Sequence, residues 1–316
     1  MTTAGLIITQ WSLPYISRSQ YLDLLNRRLP GLAKTWWQMR SKDCGDPRLD
    51  QVGIWNNYPE GSHIEHIIPL STASRFASVA NWGRNWRREP YQGAGNSLPR
   101  GSPTRTRGIR SDFWVNVWNN PQGLPSGLPP VTPGSTDLRR PVDRVFEALG
   151  SNTNPSHLVL LQGAIDRVKG RYEGFRPPIE NVDFERYVRQ GANGNDTAIQ
   201  SFLAPLRETI AMFEYLRDPA IASRRHTIAS SVTQQLQLIE RHTRGSEGLT
   251  AHWHEFYPFY FNQVSIFARS YVTGRVQYIQ RYFSRAGSYK RESVLAEVKE
   301  IADKIPELKY PWDESF

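Results

Sequence analysis

Residues 154–172 read NPSHLVLLQGAIDRVKGRY. They lie in the part of the chain, after residue 135, where apolar residues recur with helical spacing almost throughout, and the fold class follows from that reading. Just upstream, STDLRRPVDRVFEALG (135–150) opens on a Ser or Thr of N-cap type and closes at Gly150. Downstream, PLRETIAMFEYLRD (205–218) places Pro205 in a first helical turn. In PAIASRRHTIASSVTQQLQLIERH (219–242), Ile221, Ile228, Val232, Leu236 and Ile239 share one stripe. In YFNQVSIFARSYVTGRVQYIQRYF (260–283), Tyr260, Val264, Phe267, Tyr271, Ile279 and Phe283 recur at near-helical spacing, the pattern of a core face. RESVLAEVKEIADKI (291–305) reads as a last helix. The expected fold is mainly α, with a helical bundle over 136–316.

Before residue 135 the character changes. Trp, Gly, Pro and Asn are common, and eight of the ten tryptophans lie at or before Trp118. GLIITQW (5–11) suits a strand, and RSQYLDLLNRRLPGLAKTWWQMR (18–40) reads as helix with a break near Pro30. QGLPSGLPPVTPGST (122–136) has the composition of a linker or surface loop. The expectation is a small mixed α/β region over 1–135, rich in Trp and Arg.

The chain has 316 residues and a formal charge of +9, a balance that suits an acidic partner, nucleic acid first. Its one cysteine, Cys44, excludes an intramolecular disulfide and a Cys-based zinc site, which fits a cytoplasmic protein. The start MTTAGLIITQWSLPY lacks a basic leader, and no apolar run reaches membrane-spanning length, so no membrane partner is expected. P-loop, Gly-x-Gly-x-x-Gly and Gly-x-Ser-x-Gly motifs are absent, which leaves nucleotide hydrolysis by a P-loop, dinucleotide chemistry and serine hydrolysis without support.

The chemistry concentrates in GSHIEHIIPLS (61–71). Read as a strand ended by Pro69, its alternation puts His63 and Glu65 on one face and Ile64 and His66 on the other. An imidazole can take a proton from water, and an adjacent carboxylate can hold a divalent cation against a phosphate. Downstream, Arg84, Arg87, Arg88, Arg100, Arg105, Arg107 and Arg110 stand against one acid, Glu89, with Trp82, Trp86 and Tyr91 interleaved. That composition suits phosphate tracking and base stacking, or else a solvated basic loop.

EHIIPLS followed by GNSLP resembles the HNH metal-dependent nucleases, over about residues 50–120. The resemblance implies a two-stranded ribbon packed on a helix around Mg²⁺ or another divalent cation. It assigns His66 as general base, Glu65 as metal ligand and Asn96 as the residue orienting the loop. For the family's third position, Asp112 or Asn116 has suitable oxygen chemistry. The expected activity is metal-dependent hydrolysis of DNA or RNA, with Arg84, Arg87, Arg88, Arg105 and Arg107 on the phosphates. An oligomer is compatible with this.

A second expectation rests on His226. Ala222, His226, Ala229 and Thr233 form a small-residue stripe with room for a flat group such as haem. ASRRHTIASS resembles the proximal-histidine helix of the all-helical haem dioxygenases that act on tryptophan and indoles. That resemblance implies a haem oxygenase with an aromatic substrate and His226 as axial ligand. His252 and His254, two apart, diverge on a helix, and Pro258 stands where the His-Glu-x-x-His motif needs its second histidine.

Overall fold

The structure is a computed structural model. It describes residues 20–21, 23, 35–41, 48–53, 60–83, 107–284, 287 and 289–311. Most of the described chain is helical, in agreement with the mainly-α expectation. The strand suggested at 5–11, and Cys44, lie outside the described residues.

Four short strands form one mixed sheet: β1 (Thr35–Met39), β2 (Leu49–Gly53), β3 (Ser62–His66) and β4 (Leu158–Gln162), in the order β2-β1-β4-β3. Two of them correct the sequence reading. TWWQM closes the stretch read as helix, yet it pairs antiparallel with β2, Trp36 opposite Val52 and Met39 opposite Leu49. LVLL, read as helix, is a strand of the sheet interior, parallel to β1 and antiparallel to β3. The physical reason is coverage. Leu158, Val159, Leu160 and Leu161 are all buried, so the segment is covered on both faces and shows neither a 2.0 nor a 3.6 period. The sheet therefore takes β1, β2 and β3 from before residue 135 and β4 from after it.

Register divides the sheet into two faces. Trp37, Leu161 and His63 form one row, with Val159 and Glu65 behind it, and Trp37, Val159 and Leu161 belong to the large helical core. Trp36, Leu160, Ile64 and Leu158 point the other way, where the Tyr21 hydroxyl donates to Leu158 O (2.8 Å). β3 thus turns its isoleucine away from the main core and its histidine and glutamate towards it.

The helices are α1 (Ser71–Trp82), α2 (Pro141–Leu149), α3 (Gly163–Glu173), α4 (Asn181–Ala192), α5 (Asp196–Arg217), α6 (Pro219–His242), α7 (Leu249–Phe283) and α8 (Arg291–Lys304), with a short helical stretch, Ser111–Phe113 running into Trp114–Trp118. The α6 stripe is as expected, with Ile221, Ile228, Val232, Leu236 and Ile239 fully buried. Three helix starts differ. α2 begins at Pro141, not at the upstream Ser or Thr. α5 begins at Asp196, where the Asn195 side chain accepts from Ala198 N (3.0 Å), and Pro205 lies inside it. α7 runs 35 residues through Pro258, because Trp253, Phe256, Tyr257, Tyr260 and Phe261 on both sides of the proline are all core. Among the described residues no helix is long and apolar enough to cross a membrane.

Candidate functional site

β3 is bracketed by Gly61, at φ 73°, and by the turn at Pro69. Its edge position leaves one side to α3, which starts immediately after β4. α3 carries Asp166, Lys169 and Glu173 at i, i+3 and i+7, a single stripe facing His63 and Glu65. Close approach needs a glycine at the helix start. Gly163 N donates to Gly61 O (2.7 Å), and a Cβ at Gly163 would lie 2.8 Å from both Gly61 O and His63 Nε2.

The contacts form a chain that runs from the surface to the interior. His63 Nδ1 lies 2.7 Å from Asp166 Oδ2, with the two side chains 45% and 24% exposed. Asp166 lies near enough to Glu65 for the two carboxyl groups to influence each other's protonation. Lys169 Nζ reaches Glu65 Oε1 (2.5 Å), Glu173 Oε2 (2.9 Å) and the carbonyl of His66 (3.2 Å), so all three of its donors are used. The Tyr310 hydroxyl donates to Glu173 Oε1 (2.7 Å), and the Tyr260 hydroxyl donates to the Glu173 carbonyl (2.6 Å). Lys169, Glu173, Tyr260 and Tyr310 are almost wholly enclosed. The Tyr215 hydroxyl is also buried near these carboxylates and has no hydrogen-bond partner among the described residues.

Burial and charge set the protonation states. Burial pushes Glu65 well above the usual carboxylate range, and the Lys169 charge only partly opposes it. Burial also raises Glu173. For Lys169, burial favours the neutral amine, but Glu173 and Glu65 outweigh it and hold the ammonium charged. For Asp166, burial acts upward, and its interactions with Glu65 and His63 bring it below its ordinary value.

The expected site residues fall into different surroundings. Glu65 and His66 are chain neighbours on opposite faces. His66 is buried, its Nε2 lies 3.2 Å from Gly150 O, and burial lowers its pKa to about 4 against that hydrogen bond. Asp112 is exposed and binds Arg110 through both oxygens (3.0 and 2.9 Å). Its partner is Arg110, while that of Glu65 is Lys169. Among the described residues no group of three or more His, Cys, Asp or Glu is placed to hold a metal ion. Asn96, Arg84, Arg87, Arg88 and Arg105 lie outside the described residues. Arg107 is exposed, and its carbonyl lies 2.9 Å from His252 Nε2. His252 is buried and His254 exposed, the divergence expected on a helix.

Of the His226 stripe on α6, only Ala229 is buried. Ala222, His226 and Thr233 are partly exposed, so the stripe runs along the margin of the core, beside the Ile221–Ile228–Val232 face.

Sequence reasoning missed His63 as the accessible imidazole, and it missed Asp166, Lys169 and Glu173. A signal existed. Three charges at i, i+3 and i+7 interrupt a helix whose Ile165, Val168 and Tyr172 are core residues, and a strand with two polar residues on one face needs such a partner. The chain matches no protein-family model, no curated protein and no solved structure.

Proposed function

We propose that the chain hydrolyses phosphodiester bonds of nucleic acid, and that its acid–base centre is the His63–Asp166 pair rather than His66. The observation that carries this reading is a half-exposed imidazole held by a carboxylate at 2.7 Å, at the rim of a buried charged network. An ionised Asp166 only accepts hydrogen bonds, so the His63 proton sits on Nδ1 and Nε2 is left as the base. Nε2 takes a proton from the attacking water, and the resulting imidazolium is stabilised by Asp166 and can protonate the leaving oxygen. His66 is unsuited to that role because it is buried, neutral and bonded to Gly150. The charge of +9 and the arginine-rich segment 84–110 support a polyanionic substrate.

A divalent cation was expected on Glu65 and Asp112. The described geometry does not fit it there: Glu65 is committed to Lys169, and Asp112 to Arg110. No step is assigned to a cation at these residues.

The test is cleavage of plasmid DNA and of RNA by the purified chain, with Mg²⁺ or Mn²⁺ in one series and chelator in the other. His63→Ala and Asp166→Asn are expected to lower the rate by about 10²-fold or more. Failure of the wild-type chain to cleave either substrate in either series refutes the activity. Retention of full activity in His63→Ala refutes the site.

A further inference from the structure

We propose that the seat of the C-terminal strap, residues 308–311, is a binding site for a small para-hydroxyphenyl carboxylic acid, which displaces Tyr310 and sets its carboxylate on Arg225. The inference does not depend on the nuclease reading.

The seat is built from four helices. Glu173 of α3 accepts the Tyr310 hydroxyl at Oε1 (2.7 Å). Phe213 of α5 and Phe261 of α7 pack on the Tyr310 ring, with centroids 5.9 and 4.7 Å away. Ser265 Oγ of α7 accepts from Tyr310 N (2.9 Å), and the guanidinium of Arg225 on α6 lies 5.7 Å from the ring centroid. Glu173 and Ser265 are each 2% exposed and Arg225 is 7% exposed, so the polar groups of the seat are enclosed. That shape accepts a ring with a hydroxyl at its far end. A ring without one leaves the buried Glu173 oxygen unpaired and is rejected.

The mouth of the seat suits its present occupant less well. Arg225 donates from Nη2 to the Pro311 carbonyl, a neutral acceptor. Its Nη1 is buried and has no hydrogen-bond partner among the described residues. A buried guanidinium held by one carbonyl bears a desolvation cost, which a carboxylate offsets by taking Nη1 and Nη2 together. The strap therefore fills the ring and hydroxyl positions and leaves the anion position half used. A phenol joined to a carboxylate by a short aliphatic link fills all three. The strap is also placed to yield. It follows the last helical turn, Ile305–Glu307, and of its four residues only Leu308 and Tyr310 are buried. Tethering gives Tyr310 a high effective concentration, so the ligand competes at a disadvantage in the intact chain and binds better once that side chain is gone.

The probe is para-hydroxyphenylpropionate, with phenylpropionate lacking the hydroxyl and para-ethylphenol lacking the carboxylate as controls. Calorimetry on the full-length Tyr310→Gly chain is expected to show the probe binding at least about tenfold more tightly than either control, with a similar loss when Arg225→Gln is added. Equal affinity for the three compounds, or a Tyr310→Gly chain that melts cooperatively and binds none of them, overturns the site. The wild-type chain gives a reading that needs no variant. Millimolar probe is expected to speed hydrogen exchange at the Tyr310 amide severalfold, because displacement breaks its bond to Ser265, while the amides of α7 stay protected. Unchanged exchange at that amide, or equal acceleration by phenylpropionate, overturns the displacement.

Discussion

The two histidines of β3 stand three residues apart on opposite faces of the same sheet, and their surroundings differ in kind. His63 faces the main core side but sits at its rim, half in solvent, beside a carboxylate. His66 faces the smaller side, is buried, and has a backbone carbonyl at its Nε2. Position along one strand, and not residue type, decides which imidazole is open to solvent. An accessible, charge-paired group can titrate at little expense to stability. An enclosed one is tied to the stability of the fold.

That contrast can be broken by changing either side. The largest effect is expected where the polar face depends on one cation. Lys169→Met leaves Glu65 and Glu173 buried without their counter-charge, and about 3–5 kcal/mol of unfolding free energy should be lost at neutral pH. Urea denaturation at several pH values checks this. The deficit should narrow at low pH, where both carboxyls become neutral.

His66 comes next. Its folded-state pKa, about 4, lies below the ordinary 6.5. Its contribution is therefore present above pH 6.5 and is lost as pH falls through about 4, a total of about 3 kcal/mol. Chemical denaturation of wild type and His66→Gln between pH 7 and pH 4 should show a steeper acid loss in the wild type. Equal slopes would place the imidazole in a more open setting than β3 gives it.

Gly163→Ala probes the close passage of α3 over the turn before β3. The added methyl meets Gly61 O and His63 Nε2 at 2.8 Å, and about 1–3 kcal/mol is the expected thermal-denaturation penalty, with reduced turnover. The smallest effect on stability sharpens the comparison most. His63→Ala removes a half-exposed pair and should change stability by less than about 1 kcal/mol. Turnover should nevertheless collapse. A loss of several kcal/mol instead would make His63 as structural as His66.

Much of the helical part was legible in the sequence because amphipathic stripes announce themselves. Ile221 to Ile239 on α6 and Val294 to Ile301 on α8 keep one face buried over several turns. β3 was legible for a related reason: its alternation is real, with His63 and Glu65 on one face and Ile64 and His66 on the other, although it ends at His66, before Pro69. β4 was not, since LVLL is buried on both faces and four apolar residues carry no period. Missing β4 hid the site as well. Without it, α3 has no sheet to lie on, and Asp166, Lys169 and Glu173 read as ordinary charges on a solvated helix. Glu65 could be singled out from its neighbours, but its partners lie about a hundred positions away, beyond the reach of local pattern.

The place of β4 in the sheet bears on how the molecule is made. β1 and β3 do not touch each other in the order β2-β1-β4-β3. During synthesis, the β1–β2 hairpin and β3 emerge long before the strand that joins them, with more than ninety residues intervening between β3 and β4. The sheet can close only after α2 and β4 have left the ribosome, a long-range pairing that slows folding. A nascent chain halted near residue 135 carries the β1–β2 hairpin and β3 with nothing to join them, and it is at that stage that a chaperone has most to gain by holding it.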